Sequence, residues 1–214
     1  MNLIKKILFF LLLTHANWAQ LKTPKDYTEI KCTLTPVRRL SRHQTHPNIP
    51  PAGRLSFRGY STNWSGYVAQ TSLSSPIAHS VTSVSGSWIV PSIQRSSQNR
   101  FCAIWVGIDG YSSSTVEQIG TEHDCINGRL RHYAWFEMYP DYSYMINGFP
   151  VRTGDIISAS VKYQGNNVFV MRLYNRTRRV ATTVPTRYTT AAGTQRNSAE
   201  WIIDNYYVIE QQIR

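Results

Sequence analysis

The stretch from residue 105 to residue 120 constrains the fold more than any other part of the chain. An apolar run ends in Asp109 and Gly110, four small hydroxyl residues follow, and a second run carries Glu117 and Gln118 side by side. Asp-Gly followed by small polar residues is typical of a turn between two strands. The pattern therefore predicts a strand, a turn and a strand that bring these polar side chains together on or beside a sheet.

Strand signals recur through most of the remaining chain. Residues 80–90 are rich in β-branched residues and stop at a proline, and residues 156–174 form two extended runs around a Gln-Gly-Asn-Asn turn. Residues 131–139 alternate, and residues 199–209 form a last extended run. Because no stretch has helical apolar spacing, we predict an all-β fold, a two-sheet antiparallel β-sandwich.

The chain divides into three expected segments. In residues 1–19, Lys5 and Lys6 precede a short apolar run and small residues, which indicates a signal peptide. Residues 20–58 contain five prolines and clustered arginines without periodicity, so we interpret them as a basic pro-segment or linker. Residues 59–214 form the predicted domain. We expect the mature protein to be secreted, monomeric and free of the membrane.

The net charge of +11 is concentrated before the domain. Residues 1–58 hold 10 Lys and Arg against 2 Asp and Glu, whereas residues 59–214 hold 13 against 10. The domain therefore lacks the basic surface that nucleic-acid binding requires, and no nucleic-acid partner is expected. A basic surface-binding module would depend on the extension alone, and it ranks last among the functions considered.

Three cysteines occur, at positions 32, 102 and 125. Cys102 and Cys125 flank the stretch described first, so an oxidising compartment would allow a disulfide between them. No zinc-ligand spacing is present, and we expect neither a metal nor a cofactor. His123, which lies between two acidic residues, is predicted to be a surface residue.

One face of the strand predicted at 131–139 carries three aromatic residues and one acid, namely Tyr133, Trp135, Glu137 and Tyr139. Side chains at every second position share one face of a strand. The set is either a half-buried aromatic ladder that tolerates one acid or the wall of a substrate groove. A groove becomes the better interpretation if other polar groups converge on the same face.

Several segments together resemble the eqolisins, the glutamic peptidase family. They are Trp105–Gly110, Gln118–Gly120, Ala134–Asp141 and Ala199–Ile203, with Asn63–Gly66 and Ser85–Pro91 resembling the family's first strands. The resemblance covers residues 61–204 in order and spacing. It implies a lectin-like, concanavalin-like sandwich and a secreted endopeptidase that acts at acid pH on polypeptides, with a glutamine and a glutamate as the catalytic pair.

Position by position, the resemblance implies that Gln118 is the catalytic amide and that Asp204 occupies the place of the catalytic glutamate. Glu200 matches the family's earlier, non-catalytic glutamate and is the other candidate acid. The residues implied to line the cleft are Asp109, Glu122, Trp135, Glu137 and Tyr139. Asp is shorter than Glu by one methylene, ~1.5 Å, and a misplacement of ~1 Å can cost about a hundredfold in rate, so reduced activity is expected.

Two functions remain open. A carboxylate can take a proton from an attacking water, and an amide can donate to the developing oxyanion, which together suffice for an acid-active endopeptidase. The resemblance also implies that the domain continues for several strands after position 204, so this domain is expected to lack its last strands. The alternative is a non-catalytic secreted sandwich that binds peptide or glycan along the aromatic groove.

Overall fold

The structure is a computed structural model, and it describes residues 26–37, 64–184 and 193–206. Within these ranges the chain forms twelve strands and no helix, and hence no helix that could cross a membrane. The strands are β1 (Thr28–Glu29), β2 (Thr33–Val37), β3 (Trp64–Gln70), β4 (Ser83–Ile89), β5 (Phe101–Ile108), β6 (Val116–Ile126), β7 (Arg129–Tyr139), β8 (Ser143–Asn147), β9 (Ile156–Tyr163), β10 (Phe169–Asn175), β11 (Val180–Val184) and β12 (Ser198–Tyr206).

These strands form two sheets. One has seven strands in the order β2-β8-β7-β6-β5-β12-β3, and the other has five in the order β1-β11-β10-β9-β4. Every described pair is antiparallel except β1 with β11, which is parallel. The all-β antiparallel sandwich predicted from the sequence is therefore confirmed. The predicted signal peptide lies outside the described residues.

The main core lies between the two sheets. Alternate residues of β5, β6 and β7 point inward and meet apolar side chains of β4, β9 and β10. Ile108, Ile119 and Phe136 come from the larger sheet, and Ile157 and Leu173 come from the smaller one, all at most 1% exposed. Because successive residues of a strand alternate between faces, the residues between them form the outer face of the seven-stranded sheet.

The segment interpreted as a pro-segment or linker contributes a strand to each sheet. β1 pairs with β11, and β2 pairs with β8, so residues 26–37 close one side of the sandwich. Ile30, Cys32 and Leu34 pack against the main core between these pairings. The sequence shows little periodicity here because β1 has two residues and β2 contains a proline, which is tolerated at a sheet edge.

The predicted disulfide is absent, because all three cysteines, which lie within the described residues, are free thiols. The backbone of Cys125 pairs with that of Arg100 in an isolated antiparallel β-bridge. Cys102 lies two residues after Arg100, in β5, so the two cysteines are diagonal neighbours across the strands. Diagonal positions in antiparallel strands lie ~7–8 Å apart, beyond the Cα separation of a disulfide. The Cys125 thiol instead donates to the Ser96 carbonyl oxygen at 3.6 Å.

The prediction that His123 lies on the surface is wrong, since its side chain is 2% exposed. His123 points inward from β6, and its Nδ1 lies 2.9 Å from Nδ1 of His132 on β7. Its Nε2 lies 3.0 Å from Thr121 Oγ1, which also accepts a hydrogen bond from Trp88 Nε1 at 2.8 Å. The acidic neighbours of His123 in the sequence suggested exposure, but strand alternation sends them to the opposite face.

Candidate active site

One row of residues crosses the outer face of the seven-stranded sheet and includes two acids and an amide. The pairings Val68 with Glu200, Glu200 with Gly107, Gly107 with Gln118 and Gln118 with Glu137 run from β3 to β7. Gly107 separates the acid from the amide. Two strand spacings put their backbones ~10 Å apart, so the two side chains can converge above the glycine.

Gln118 is fully buried and is held by Glu137 on the neighbouring strand. Its Nε2 donates to Glu137 Oε2 at 2.7 Å. A carboxylate only accepts hydrogen bonds, so the amide nitrogen must face Glu137 and the amide oxygen must face away from it. Gln118 Oε1 is buried and has no hydrogen-bond partner among the described residues.

Glu200 is also fully buried, and only one of its two oxygens has a side-chain partner. Ser198 Oγ donates to Glu200 Oε1 at 3.1 Å, while Oε2 has no hydrogen-bond partner in the described part of the chain. Burial raises the pKa of Glu200 well above its usual range, the Ser198 hydrogen bond opposes this rise, and the nearby charge of Asp109 adds to it. The carboxyl group therefore holds its proton strongly.

Asp204 lies in a different row from Gln118. It pairs with Trp64 on one side and with Ala103 on the other, and Ala103 pairs with Glu122. Four residues along a strand correspond to ~13 Å, which an aspartate side chain cannot span. The structure therefore brings Glu200, and not Asp204, into the row of Gln118, which departs from the position implied by the resemblance.

Asp109 anchors the start of β12. It is fully buried, and its carboxylate accepts hydrogen bonds from the backbone N–H groups of Arg196 at 2.7 Å and Asn197 at 2.9 Å. Its own N–H donates to the Ser198 carbonyl oxygen at 3.0 Å. Burial still raises the pKa of Asp109, although these hydrogen bonds oppose the rise.

Glu117 brings a third buried carboxyl group to this end of β6. It is 0% exposed. Burial raises the pKa of Glu117 well above its usual range, the charges of Asp109 and Glu200 raise it further, and the Thr115 hydroxyl group opposes the rise. A carboxyl group in this situation is stable in its neutral, protonated form.

Aromatic side chains surround the row, as the pattern in β7 predicts. Trp135 is fully buried in an outer-face cluster with Trp64 and Trp105, whose rings lie edge to face with centroids 5.0 Å apart. Tyr133 and Tyr139 pack partly buried against the same cluster. The aromatic residues and the polar row lie on the same face of the sheet.

Two residues that matter to the site were missed from the sequence. Gly107 leaves open the position between Glu200 and Gln118, where a Cβ atom would lie 3.2 Å from Gln118 Cβ. Ser198 shares a face with Glu200 because it is two positions away, a signal that alternation alone could have supplied. In the described part of the chain, no three His, Cys, Asp or Glu side chains are arranged to hold a metal ion.

Comparison with known proteins decides the family. The model of the Peptidase A4 family matches residues 62–214, which is most of the chain. The chain belongs to the Peptidase A4 family. Aspergillopepsin-2 from Aspergillus niger is 27% identical over 192 residues, which cover 77% of this chain and 66% of that protein. The resemblance to the eqolisins is thereby confirmed.

Solved structures of Peptidase A4 relatives have the same fold. Scytalido-glutamic peptidase, solved with a transition state analog inhibitor, matches with a TM-score of 0.56 and 27% identity over 66% of this chain and 64% of that chain. SCP-B, a member of the eqolisin family solved with the tripeptide Ala-Ile-His, matches with a TM-score of 0.52 and 25% identity over 67% and 65%. This chain spans 64–66% of the length of these relatives.

Proposed function

We propose that the protein is a secreted, acid-active endopeptidase of the glutamic type, with Gln118 and Glu200 as its catalytic pair. The observation that carries the proposal is the row in which Glu200 and Gln118 flank Gly107. Each side chain has one buried oxygen without a hydrogen-bond partner among the described residues. A water between the two side chains would supply a partner for both oxygens.

The proposed reaction uses each group according to its hydrogen-bonding capacity. Ionised Glu200 takes a proton from the water as the water oxygen attacks the peptide carbonyl carbon, and the carbonyl electron pair moves to oxygen. Gln118 Oε1 accepts a hydrogen bond from the water, and the Nε2 hydrogen that does not face Glu137 donates to the oxyanion. Glu200 then returns the proton to the leaving nitrogen as the C–N bond breaks.

Acid pH assists departure of the amine, because the amine leaves in its protonated form. The raised pKa of Glu200 acts against the first step in acid solution, because only ionised Glu200 can take the proton from water. The family membership and the name of one relative, scytalido-glutamic peptidase, support the same class of chemistry. Secretion is supported by the basic and apolar pattern of residues 1–19.

The choice between Glu200 and Asp204 can be tested directly. We would assay the full chain on an unfolded protein substrate from about pH 2 to pH 7, a range that brackets the ordinary carboxyl pKa of ~4. The variants are Gln118→Ala, Glu200→Gln and Asp204→Asn. Loss of an acid/base group removes about 10²–10⁴-fold in rate, and loss of an oxyanion donor removes about 10²–10³-fold.

The expected result is that Gln118→Ala and Glu200→Gln lose activity by these factors while Asp204→Asn keeps most of it. If Asp204→Asn loses activity and Glu200→Gln does not, the assignment that the resemblance implied is correct and ours is wrong. Cleavage that survives all three changes would refute the pair. A parent protein that folds but cleaves at no pH would favour the non-catalytic alternative, a sandwich that binds peptide or glycan.

A further inference from the structure

Residues 26–37, which we call the strap, are held on the five-stranded sheet by the half that contains β1. The backbone N–H of Ile30 donates to the Ala181 carbonyl oxygen at 2.8 Å, and the Ile30 carbonyl oxygen accepts from the Thr182 hydroxyl group at 3.1 Å. The Ile30 side chain packs against the main core. Backbone and side chain therefore fix this half of the strap together.

The other half of the strap, β2, extends the seven-stranded sheet. All five of its residues pair with β8, and Asn147 Nδ2 donates to Thr35 Oγ1 at 2.7 Å. Leu34 pairs with Ile146, which is 2% exposed, and packs against the main core. Without the strap, β8 and β11 would be open sheet edges beside apolar side chains, which is unfavourable in water.

The strap lies at a distance from the candidate active site. β2 is separated from β6, which carries Gln118, by β8 and β7, and three strand spacings amount to ~14 Å. β2 and β3 lie at opposite edges of the seven-stranded sheet. A cut in residues 38–63 would therefore leave the strap attached to the sandwich by noncovalent contacts alone.

We infer that the edges of β8 and β11 form a receptor surface for the strap, so that a cut between residues 37 and 64 leaves a two-chain protein in which the strap stays bound. The partner that fits this surface is an extended peptide whose alternate side chains are apolar. In the strap these side chains are Ile30, Cys32 and Leu34, which enter the space between the two sheets. The inference does not depend on the roles proposed for Gln118 and Glu200.

The test uses the full chain with a site-specific protease recognition sequence inserted between Pro50 and Pro51. After the cut, we expect the strap fragment and the remaining body to elute together, at the mass of one chain, in native size-exclusion chromatography. A bound peptide that dissociates on unfolding makes Tm depend on concentration. The Tm of the cut protein should therefore rise with protein concentration, whereas the Tm of the uncut protein should not.

Leu34→Asp tests whether the strap contacts hold the fragment, and Thr33→Asp is the matched control. Both changes place the same charge on β2, but Leu34 packs against the core and Thr33 is exposed. Losing a leucine from a core is costly enough that we expect the dissociation constant of the cut Leu34→Asp fragment to rise about 10- to 100-fold. The cut Thr33→Asp protein should elute like the cut parent.

Separation of the fragment from the cut parent under native conditions would overturn the inference, whether the remaining body stays folded or aggregates. Retention that Leu34→Asp leaves unchanged would also overturn it, because contacts outside the strap would then hold the fragment. If Leu34→Asp does not fold before the cut, hydrogen exchange in the cut parent decides. Amide protection of β8 and β11 equal to that of the uncut protein supports the inference, and its loss after the cut contradicts it.

Discussion

The two ends of β6 hold buried titratable groups in opposite electrostatic situations. Three side-chain carboxyl groups lie near the start of the strand, those of Asp109, Glu117 and Glu200, and we call this region the carboxyl end. Burial raises the pKa values of all three groups. At the imidazole end, defined by His123 and His132, burial lowers the pKa of His123 to about 3, and the charge of His132 adds to this effect. Burial favours the neutral form in both cases, but neutrality requires a bound proton at one end and its absence at the other.

The two ends therefore respond to pH with opposite signs. A carboxyl group whose folded pKa is raised contributes stability that is present below its unfolded pKa of ~4.3 and is lost as the pH rises through the folded pKa. An imidazole whose folded pKa is lowered contributes stability that is present above ~6.5 and is lost as the pH falls toward the folded value. The groups at the two ends of β6 thus reduce the stability of the folded protein at high pH and at low pH, respectively.

The largest expected effect comes from replacing the most isolated group of the carboxyl end. Glu117 is fully buried, and burial together with the charge of Asp109 disfavours its ionised form more than the Thr115 hydroxyl group favours it. Glu117→Met keeps a similar length and cannot ionise. We expect urea unfolding at pH 7 to show a higher midpoint for the variant than for the parent, and the difference should shrink as the pH falls toward 4.

The imidazole end provides the matching control for this experiment. If Glu117→Met changes stability equally at pH 4 and pH 7, its effect is packing alone, and the carboxyl end does not limit the fold at neutral pH. The same measurement on His132→Asn should show no comparable gain at pH 7. His132 is partly exposed, and burial lowers its pKa without the charge of a second group being involved.

The second prediction concerns the inner member of the imidazole pair. His123→Gln keeps a polar side chain at the position but cannot take up a proton. Each pH unit between the unfolded pKa of ~6.5 and the folded value of about 3 is worth up to ~1.4 kcal/mol to the parent, so acidification should destabilise the parent more steeply. The variant should be the less stable protein at pH 7, and the gap should narrow or reverse near pH 3.5. Parallel curves for the two proteins would contradict the assigned role.

Much of the carboxyl end could be read from the sequence, whereas the imidazole end could not. The Asp-Gly turn and strict alternation predicted that Asp109, Glu117 and Gln118 would be neighbours, and the face shared by Tyr133 and Glu137 was predicted from the same period. These are local properties, because strand geometry and turn chemistry depend on residues close in sequence. β8 and β11 were missed, since each has only five residues.

Contacts between residues on different strands could not be predicted from the sequence, because they depend on the strand order and register. His123 meets His132 only because of the β6–β7 register, and Glu200 enters the row of Gln118 only because β12 inserts between β5 and β3. A one-residue change of register would move every side chain of a strand to the other face, and a four-residue change would be needed to place Asp204 in the row of Gln118. The resemblance to the family implied Asp204, whereas the register places Glu200 in that row.

The smallest expected effect tests the link between the imidazole end and the five-stranded sheet. Trp88 on β4 can only donate, so Thr121 accepts from it and can give its own proton to Nε2 of His123. In that arrangement Nδ1 of His123 is protonated and donates a hydrogen bond to Nδ1 of His132. One hydrogen then lies between each pair of groups from Trp88 to His132. Trp88→Phe removes one donor and should cost ~1 kcal/mol, as is typical of a single hydrogen bond.

Trp201→Phe is the matched control, because the Trp201 Nε1 donates to the Ser85 carbonyl oxygen at 2.8 Å and not to the residues that contact the histidine pair. Both variants should lose a similar amount of stability at pH 7. Only Trp88→Phe should change the steepness of acid destabilisation, since without the indole donor the Thr121 hydroxyl group can rotate and accept a hydrogen bond from the protonated Nε2 of His123. Protonation of the folded imidazole then becomes easier and its pKa rises toward the unfolded value, so acidification should destabilise Trp88→Phe less steeply than Trp201→Phe. Identical acid limbs in the two tryptophan variants would mean that the histidine pair titrates independently of β4.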